Sequence, residues 1–178
     1  TTGSVTFIGT VSPAGGNLKE PVTESTKKAA RCFYALSQNR ADSKRYPAID
    51  TLDSYSKYLE YPEFIDFAKE KLDENWVELV NEARNTLVKG KEMEEQINIL
   101  GDDSVPISYH IDLWRSEFID FVILQQDAFD KIDATTSLER QEYMLKKVIG
   151  VTRSTLRFEN FEEVAIYFKR LINAFRQM

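Results

Sequence analysis

The sequence predicts a mainly α-helical protein: a C-terminal helical bundle preceded by one strand and a loop. Three observations carry this. Residues 5–11, Val-Thr-Phe-Ile-Gly-Thr-Val, form the one run rich in β-branched and aromatic side chains. Arg45-Tyr46-Pro47-Ala48-Ile49-Asp50 then makes a corner, because Pro47 fixes its own φ and pushes Tyr46 out of the α region, so a preceding helix must stop. Beyond the corner, apolar residues recur at helical spacing to the end of the chain.

Taken in order, residues 5–11 read as a buried strand running into the turn-rich Ser12-Pro13-Ala14-Gly15-Gly16-Asn17. No second stretch of comparable β character is evident, and a lone strand leaves its backbone donors and acceptors without a ladder. The chain opens directly on this strand without a methionine, so the expectation is a piece of a larger α/β protein whose sheet lies elsewhere. From Thr23, an expected N-cap, Ala29, Cys32 or Phe33, and Leu36 fit a helix ending at the Tyr46-Pro47 corner. Leu52, Tyr55 and Leu59 suggest a short helical piece, and Pro62 suits the first turn of the next helix.

Trp76, Leu79, Val80, Ala83 and Leu87 make the most regular apolar stripe. It continues to Ile97 and Leu100, where Gly101-Asp102-Asp103-Ser104 breaks the helix and Pro106 restarts it. A helical hairpin with an acidic tip follows. Ile107, Ile111, Trp114, Phe118, Phe121 and Val122 form the returning stripe, which ends at Gln125-Gln126-Asp127-Ala128-Phe129. Ser137, or Thr136 before it, can cap a helix carrying Leu138, Leu145, Val148 and Thr152. Asn160 with Glu163 makes a capping box for the last helix.

Composition narrows the function. The chain has 178 residues, 42% of them hydrophobic, enough for one sizeable core. A net charge of -6 argues against a nucleic-acid binder with a dense basic face, and Lys27, Lys28, Arg31, Arg40, Lys44 and Arg45 read as solvated helix faces. A single cysteine, Cys32, excludes an internal disulfide and fits a reducing, cytosolic setting. No apolar run approaches the roughly 20 residues of a membrane-spanning helix, so no direct membrane insertion is expected.

Catalytic chemistry is absent from the pattern. One histidine, His110, expected to be partly exposed near the helix restart, leaves no zinc or di-iron ligand set and no supported Ser-His-Asp arrangement. Gly15-Gly16 lacks the lysine and hydroxyl of a phosphate-binding loop. Neither a catalytic nor a metal residue is assigned. Two features remain: Tyr46, an aromatic at a rigid seam and well placed to wall a ligand pocket, and Asp102-Asp103, a pair of acids on an exposed tip able to meet a basic partner.

Several segments in order resemble the C-terminal part of the catalytic A subunit of V-type and archaeal-type (V/A) rotary ATPases. They are Gly3-Ser4-Val5-Thr6-Phe7-Ile8-Gly9 with Ser12-Pro13 and Glu20-Pro21-Val22-Thr23; Phe33-Tyr34-Ala35-Leu36; Tyr46-Pro47-Ala48-Ile49-Asp50 with Ser54-Tyr55-Ser56; Leu124-Gln125-Gln126-Asp127-Ala128-Phe129; and Asn173-Ala174-Phe175-Arg176. The resemblance implies that residues 5–11 belong to a truncated P-loop α/β nucleotide-binding domain. Residues 1–50 would be its remnant, and residues 51–178 a helical lever domain.

It further implies an adenine pocket walled by Tyr46 and Phe129, with polar contacts from Gln125 and Gln126, and a rotor contact at Asp102 and Asp103 within residues 99–109. The lever would swing about the Tyr46 corner. ATP or ADP with magnesium would be bound by the full-length protein, and none tightly by this chain alone. The implied partners are the non-catalytic B subunit and the central rotor stalk, in a cytoplasmic head peripheral to a membrane and coupling ATP turnover to proton or sodium transport. The family pattern Pro-Pro-Gly-Gly-Asp-Phe appears here as Pro13-Ala14-Gly15-Gly16-Asn17-Leu18, Asp50 stands where asparagine is common, and residues 138–160 carry little that matches. The alternative reading is a self-contained helical interaction or adaptor module, against which the unpaired strand argues. A bundle enzyme with buried carboxylates is disfavoured by the missing histidines.

Overall fold

The computed structural model describes residues 3–176. For residues 5–11 the missing sheet is as the sequence reading expected, whereas the expected burial is not found. Residues 5–11 pair with nothing among the described residues, and Val5, Phe7 and Ile8 stand in solvent. An apolar run becomes a strand only where an edge supplies hydrogen bonds. The sheet that does form lies where helix was expected. Strand β1 (Cys32–Leu36) pairs antiparallel with β2 (Ile49–Ser56), joining Cys32 to Ser56 and Leu36 to Ile49, with an irregularity between Phe33 and Ala35.

The helical spacing through Cys32, Phe33 and Leu36 misled because a five-residue run fits either period. Burial decides it: Ala35 is fully covered, while Tyr34 and Leu36 on either side are exposed, the alternation of a strand. Helix α1 (Pro21–Ala29) has already ended, with Ala30 extended at φ -86° and ψ 142°. Thr23 is not its N-cap. It lies buried inside the helix, its hydroxyl donating to Glu20 Oε1 at 2.8 Å, and Pro21 takes the first turn. Tyr55 locks the sheet to α1 by donating its hydroxyl to the Lys27 carbonyl.

A short helix α2 (Gln38–Asp42), capped by Ser37, links the strands through the Tyr46-Pro47 corner, whose peptide bond is cis. After β2 and a 3-10 turn (Lys57–Glu60) the chain is helical, as expected. Its elements are α3 (Pro62–Lys71), α4 (Trp76–Leu100), α5 (Ile107–Ile119), α6 (Lys131–Ala134), α7 (Leu138–Thr152) and α8 (Phe161–Arg176). Gly101, at φ +88°, ends α4 where a side chain would be strained. Ser137 and the Asn160–Glu163 box cap α7 and α8: Arg140 N–H reaches Ser137 Oγ at 3.3 Å and Glu163 N–H reaches Asn160 Oδ1 at 3.0 Å.

The core gathers one face each of α4, α5, α7 and α8 around Phe118, Val148, Val164 and Phe168, all essentially sealed from solvent. Each such side chain contributes about 1.5–3 kcal/mol of burial. Arg84 on α4 holds β2 against the bundle by donating to the Leu52 and Ser54 carbonyls. His110, expected to be partly exposed, is buried and stacked on Phe161 at 5.0 Å. Its Nε2 lies 3.1 Å from the Asp102 carbonyl, which only accepts, so the proton sits on Nε2.

Helices α4 and α5 approach closely at Gly90, where an added Cβ would lie 2.0 Å from Ser116 Cβ. Gly90→Ala is expected to lose about 1–3 kcal/mol to overpacking despite alanine's better helix propensity. Adding Ser116→Gly should recover part of that loss in a urea-melt double-mutant cycle; an unchanged or more stable single variant would refute the contact.

Two ion pairs fix α7 from the other side, Lys146 with Asp73 at 2.6 Å and Arg153 with Glu82 at 2.6 Å. Hydrogen bonds from those cations hold both carboxyls below their ordinary values. Their contribution is therefore present above the unfolded carboxylate range, about 4, and is lost as pH falls through the depressed folded values. Thermal melts should show that acid loss, and Glu82→Gln should flatten part of it.

Candidate functional site

At the corner, three backbone bonds set the path. Arg45 N–H donates to the Arg40 carbonyl at 2.8 Å, Ser37 N–H to Ala48 at 2.8 Å, and Gln126 N–H to Tyr46 at 2.8 Å. The last brings together the two segments that the sequence reading joined, Tyr46 on one side and Gln125-Gln126 on the other. Phe129 lies three residues beyond Gln126, in a loop pinned by Asp127, whose Oδ1 accepts Phe129 N–H at 2.9 Å, and by Asp130, which caps α6. Both candidate rings are open: Tyr46 is 52% exposed and Phe129 98%. Gln126 is exposed, whereas Gln125 is half-buried with an Oε1 that is sealed from solvent and has no hydrogen-bond partner.

The segment feeding this loop is unusual. Past Ile119 the helix widens into a π turn (Asp120–Leu124), closed by Gln125 N–H donating to the Asp120 carbonyl at 2.8 Å. Asp120 itself is 4% exposed. Its carboxylate accepts from Arg40 Nη1 at 2.6 Å and Arg45 Nη1 at 2.7 Å, and Arg45 also grips Glu117 through Nη2 at 2.7 Å. The Arg45 guanidinium lies over the Phe121 ring, 4.5 Å from its centroid. Hydrogen bonding to Glu117 raises the Arg45 pKa above its ordinary value, so this fork stays charged at any pH the protein meets.

Arg40 and Arg45 are therefore not the solvated helix face that their spacing suggested. Arg40 on α2 and Arg45 at the corner both turn inward, because a buried carboxylate must be paired. Asp120 was legible in principle, because an acid inside Phe118-Ile119-Asp120-Phe121-Val122-Ile123-Leu124 must be paired if that run is buried. Beside the quartet opens a cleft of about 320 Å³, lined by Arg40, Arg45, Glu117, Asp120, Lys91 and Glu94 among others.

The hairpin tip is a separate surface. Asp102 and Asp103 form a 3-10 turn with Ser104 and are exposed, as are Ile99 and Leu100 just before them. Among the described residues no three of His, Cys, Asp and Glu gather as a metal site requires, and no helix is long and apolar enough to cross a membrane.

Two family models divide the chain between them. The nucleotide-binding domain of the ATP synthase alpha/beta family matches residues 1–56, and the C-terminal domain of V and A type ATP synthase matches residues 65–164. The class is thus an ATP synthase subunit, met where its nucleotide-binding domain passes into its C-terminal domain. More particularly, the chain belongs to the V- and A-type ATP synthase family and is similar to its alpha chains.

It is 39% identical over 175 residues to the V-type ATP synthase alpha chain of Borrelia duttonii, covering 98% of this chain and 27% of that one. To the alpha chain of Treponema denticola it is 38% identical over 169 residues, covering 95% of this chain and 26% of that one. The chain therefore spans about a quarter of the length of these relatives. The ATP synthase subunit NeqB from Nanoarcheaum equitans shares the fold, with a TM-score of 0.56 and 20% identity over 79% of this chain and 33% of that one.

Removing the Asp120 carboxylate strands the Arg40 guanidinium in a poorly solvated place and leaves Arg45 only Glu117. Asp120→Ala should cost about 3–5 kcal/mol in urea unfolding. Arg153→Ala, which breaks an exposed pair, should cost under about 1 kcal/mol.

Proposed function

We propose that this chain is the C-terminal part of the catalytic A subunit of a V/A-type rotary ATPase, supplying one side of its adenine pocket and the helical domain that meets the rotor. In this reading residues 1–50 close the nucleotide-binding domain and residues 51–178 are the lever domain, with β2 crossing between them. The observation that carries the pocket is the Gln126 N–H to Tyr46 carbonyl bond, which brings two sequence-distant segments to one place.

The residues present fit an adenine ring. Tyr46 and Phe129 offer open faces for stacking, and Gln126 beside Tyr46 is an exposed amide able to meet the polar edge of the base. ATP with magnesium, held at its phosphates by residues outside this chain, supplies the phosphoryl chemistry. What the chain's own residues do is orient the base and exclude water from one of its faces. They break no bond, so the chain alone neither turns over ATP nor holds it tightly.

Asp102 and Asp103, with the exposed Ile99 and Leu100, form a mixed acidic and apolar tip. That surface suits a basic, partly apolar helix of the rotor stalk. With the B subunit as its ring neighbour, the head would sit in the cytoplasm peripheral to a membrane and couple ATP hydrolysis or synthesis to proton or sodium transport.

In the full-length subunit assembled with its partners, Tyr46→Ala and Phe129→Ala should each raise KM for ATP about two- to tenfold, from about 0.5–1.5 kcal/mol of stacking per ring. The rise in KM should exceed any fall in kcat. If neither variant moves KM, the pocket is elsewhere.

A further inference from the structure

We infer that Asp120 is a positioning residue of the adenine pocket, holding the Tyr46 wall and the Gln125-Gln126 segment at once. The inference rests on the pocket reading above, and the contacts beneath it do not. Its side chain holds one wall, because Oδ2 binds Arg45 Nη1 at 2.7 Å and Arg45 is bonded directly to Tyr46. Its main chain holds the Gln125-Gln126 segment, because its carbonyl accepts Gln125 N–H at 2.8 Å across the π turn. The Gln126 N–H to Tyr46 carbonyl bond then closes the circuit. From Asp120 the loop runs through Arg45, Tyr46, Gln126 and Gln125 back to Asp120, with each link a covalent bond or a hydrogen bond of ordinary length.

The geometry explains why the residue is an aspartate and why the helix is π here. A buried carboxylate is the short, two-pronged acceptor that can take Arg40 on one oxygen and Arg45 on the other. An α turn would have sent Gln125 N–H to the Phe121 carbonyl, releasing the Asp120 main chain from the Gln125-Gln126 segment. Glu117 steadies the outer side of Arg45, and the Phe121 ring lies beneath the guanidinium, so Arg45 has little freedom to reorient. A change at the α5 end that moves Asp120 therefore moves Tyr46 and the Gln125-Gln126 segment together.

Residue-resolved amide hydrogen exchange on the 178-residue chain tests this without nucleotide. Arg45→Lys keeps the charge but cannot span Asp120 and Glu117, and Asp120→Asn keeps the shape and the main-chain bond. In both, the Gln126 amide should exchange at least about tenfold faster. In Arg45→Lys the Val148 amide, in the core on α7, should stay within about twofold of the parent.

An unchanged Gln126 rate in both variants overturns the inference. So does equal acceleration of Gln126 and Val148 in Arg45→Lys, which would mean simple loss of stability. In the assembled enzyme, Arg45→Lys should also raise KM for ATP. If exchange behaves as expected while Tyr46→Ala and Phe129→Ala leave KM unmoved, the bracket stands and the adenine reading falls.

Discussion

Two guanidiniums on one buried carboxylate constrain this structure more than any other contact. Taking Asp120 out of water is costly, and its attraction to one cation in the interior seldom compensates. Arg40, Arg45, Glu117 and Asp120 together carry two charges of each sign, with hydrogen bonds filling both oxygens of Asp120. The quartet is neutral as a unit and expensive to open. Because Arg40 and Arg45 flank α2 and the corner, it fastens the connection between β1 and β2 to the far end of α5. Arg84 repeats the attachment on β2 from α4.

This bracing bears on whether the corner can act as a hinge. The family resemblance implied a swing about the Tyr46 corner. The corner is held by Arg45 on one side and by Gln126 on the other. A swing about Tyr46 would have to break a buried ion quartet, whereas motion of α5 as a rod leaves it intact. Residues 107–124 form one nearly continuous helix, roughly 25 Å at about 1.5 Å per residue, from the acidic tip to the Tyr46 corner. Stiffness favours transmission along that rod over bending at its end.

The legible parts of the chain were those in which one face decides the outcome. Helices α4, α5, α7 and α8 each present a stripe to a common core, and their caps are local chemistry, so Ser137, Asn160 and Glu163 could be read directly. Residues 32–36 and 49–56 could not. Each is short enough to satisfy a helical or an extended period, and what selects the strand is the other strand and the Tyr55 hydroxyl on α1. The same limit hid the clamp: Arg40 and Arg45 look solvated until the chain returns with Asp120. Tyr46, Phe129, Gln125 and Gln126 were named through family resemblance, and local pattern pointed only to Tyr46.

The π turn resolves a conflict the sequence imposes on α5. Phe118 and Ile119 must face the core, and Asp120 must face the arginines of the corner, although it follows them directly on the same helix. A regular helix would advance each residue by one hundred degrees and carry Gln125 past the corner. The widened turn slows that rotation, so the carboxylate, its own carbonyl's partner Gln125, and the Gln126 amide that meets Tyr46 fall on one side of the chain. The irregularity is therefore where the demands of the core and of the corner meet. It is stabilised by the ion pairs it makes possible, which is why an acid at position 120 and a wide turn after it belong together.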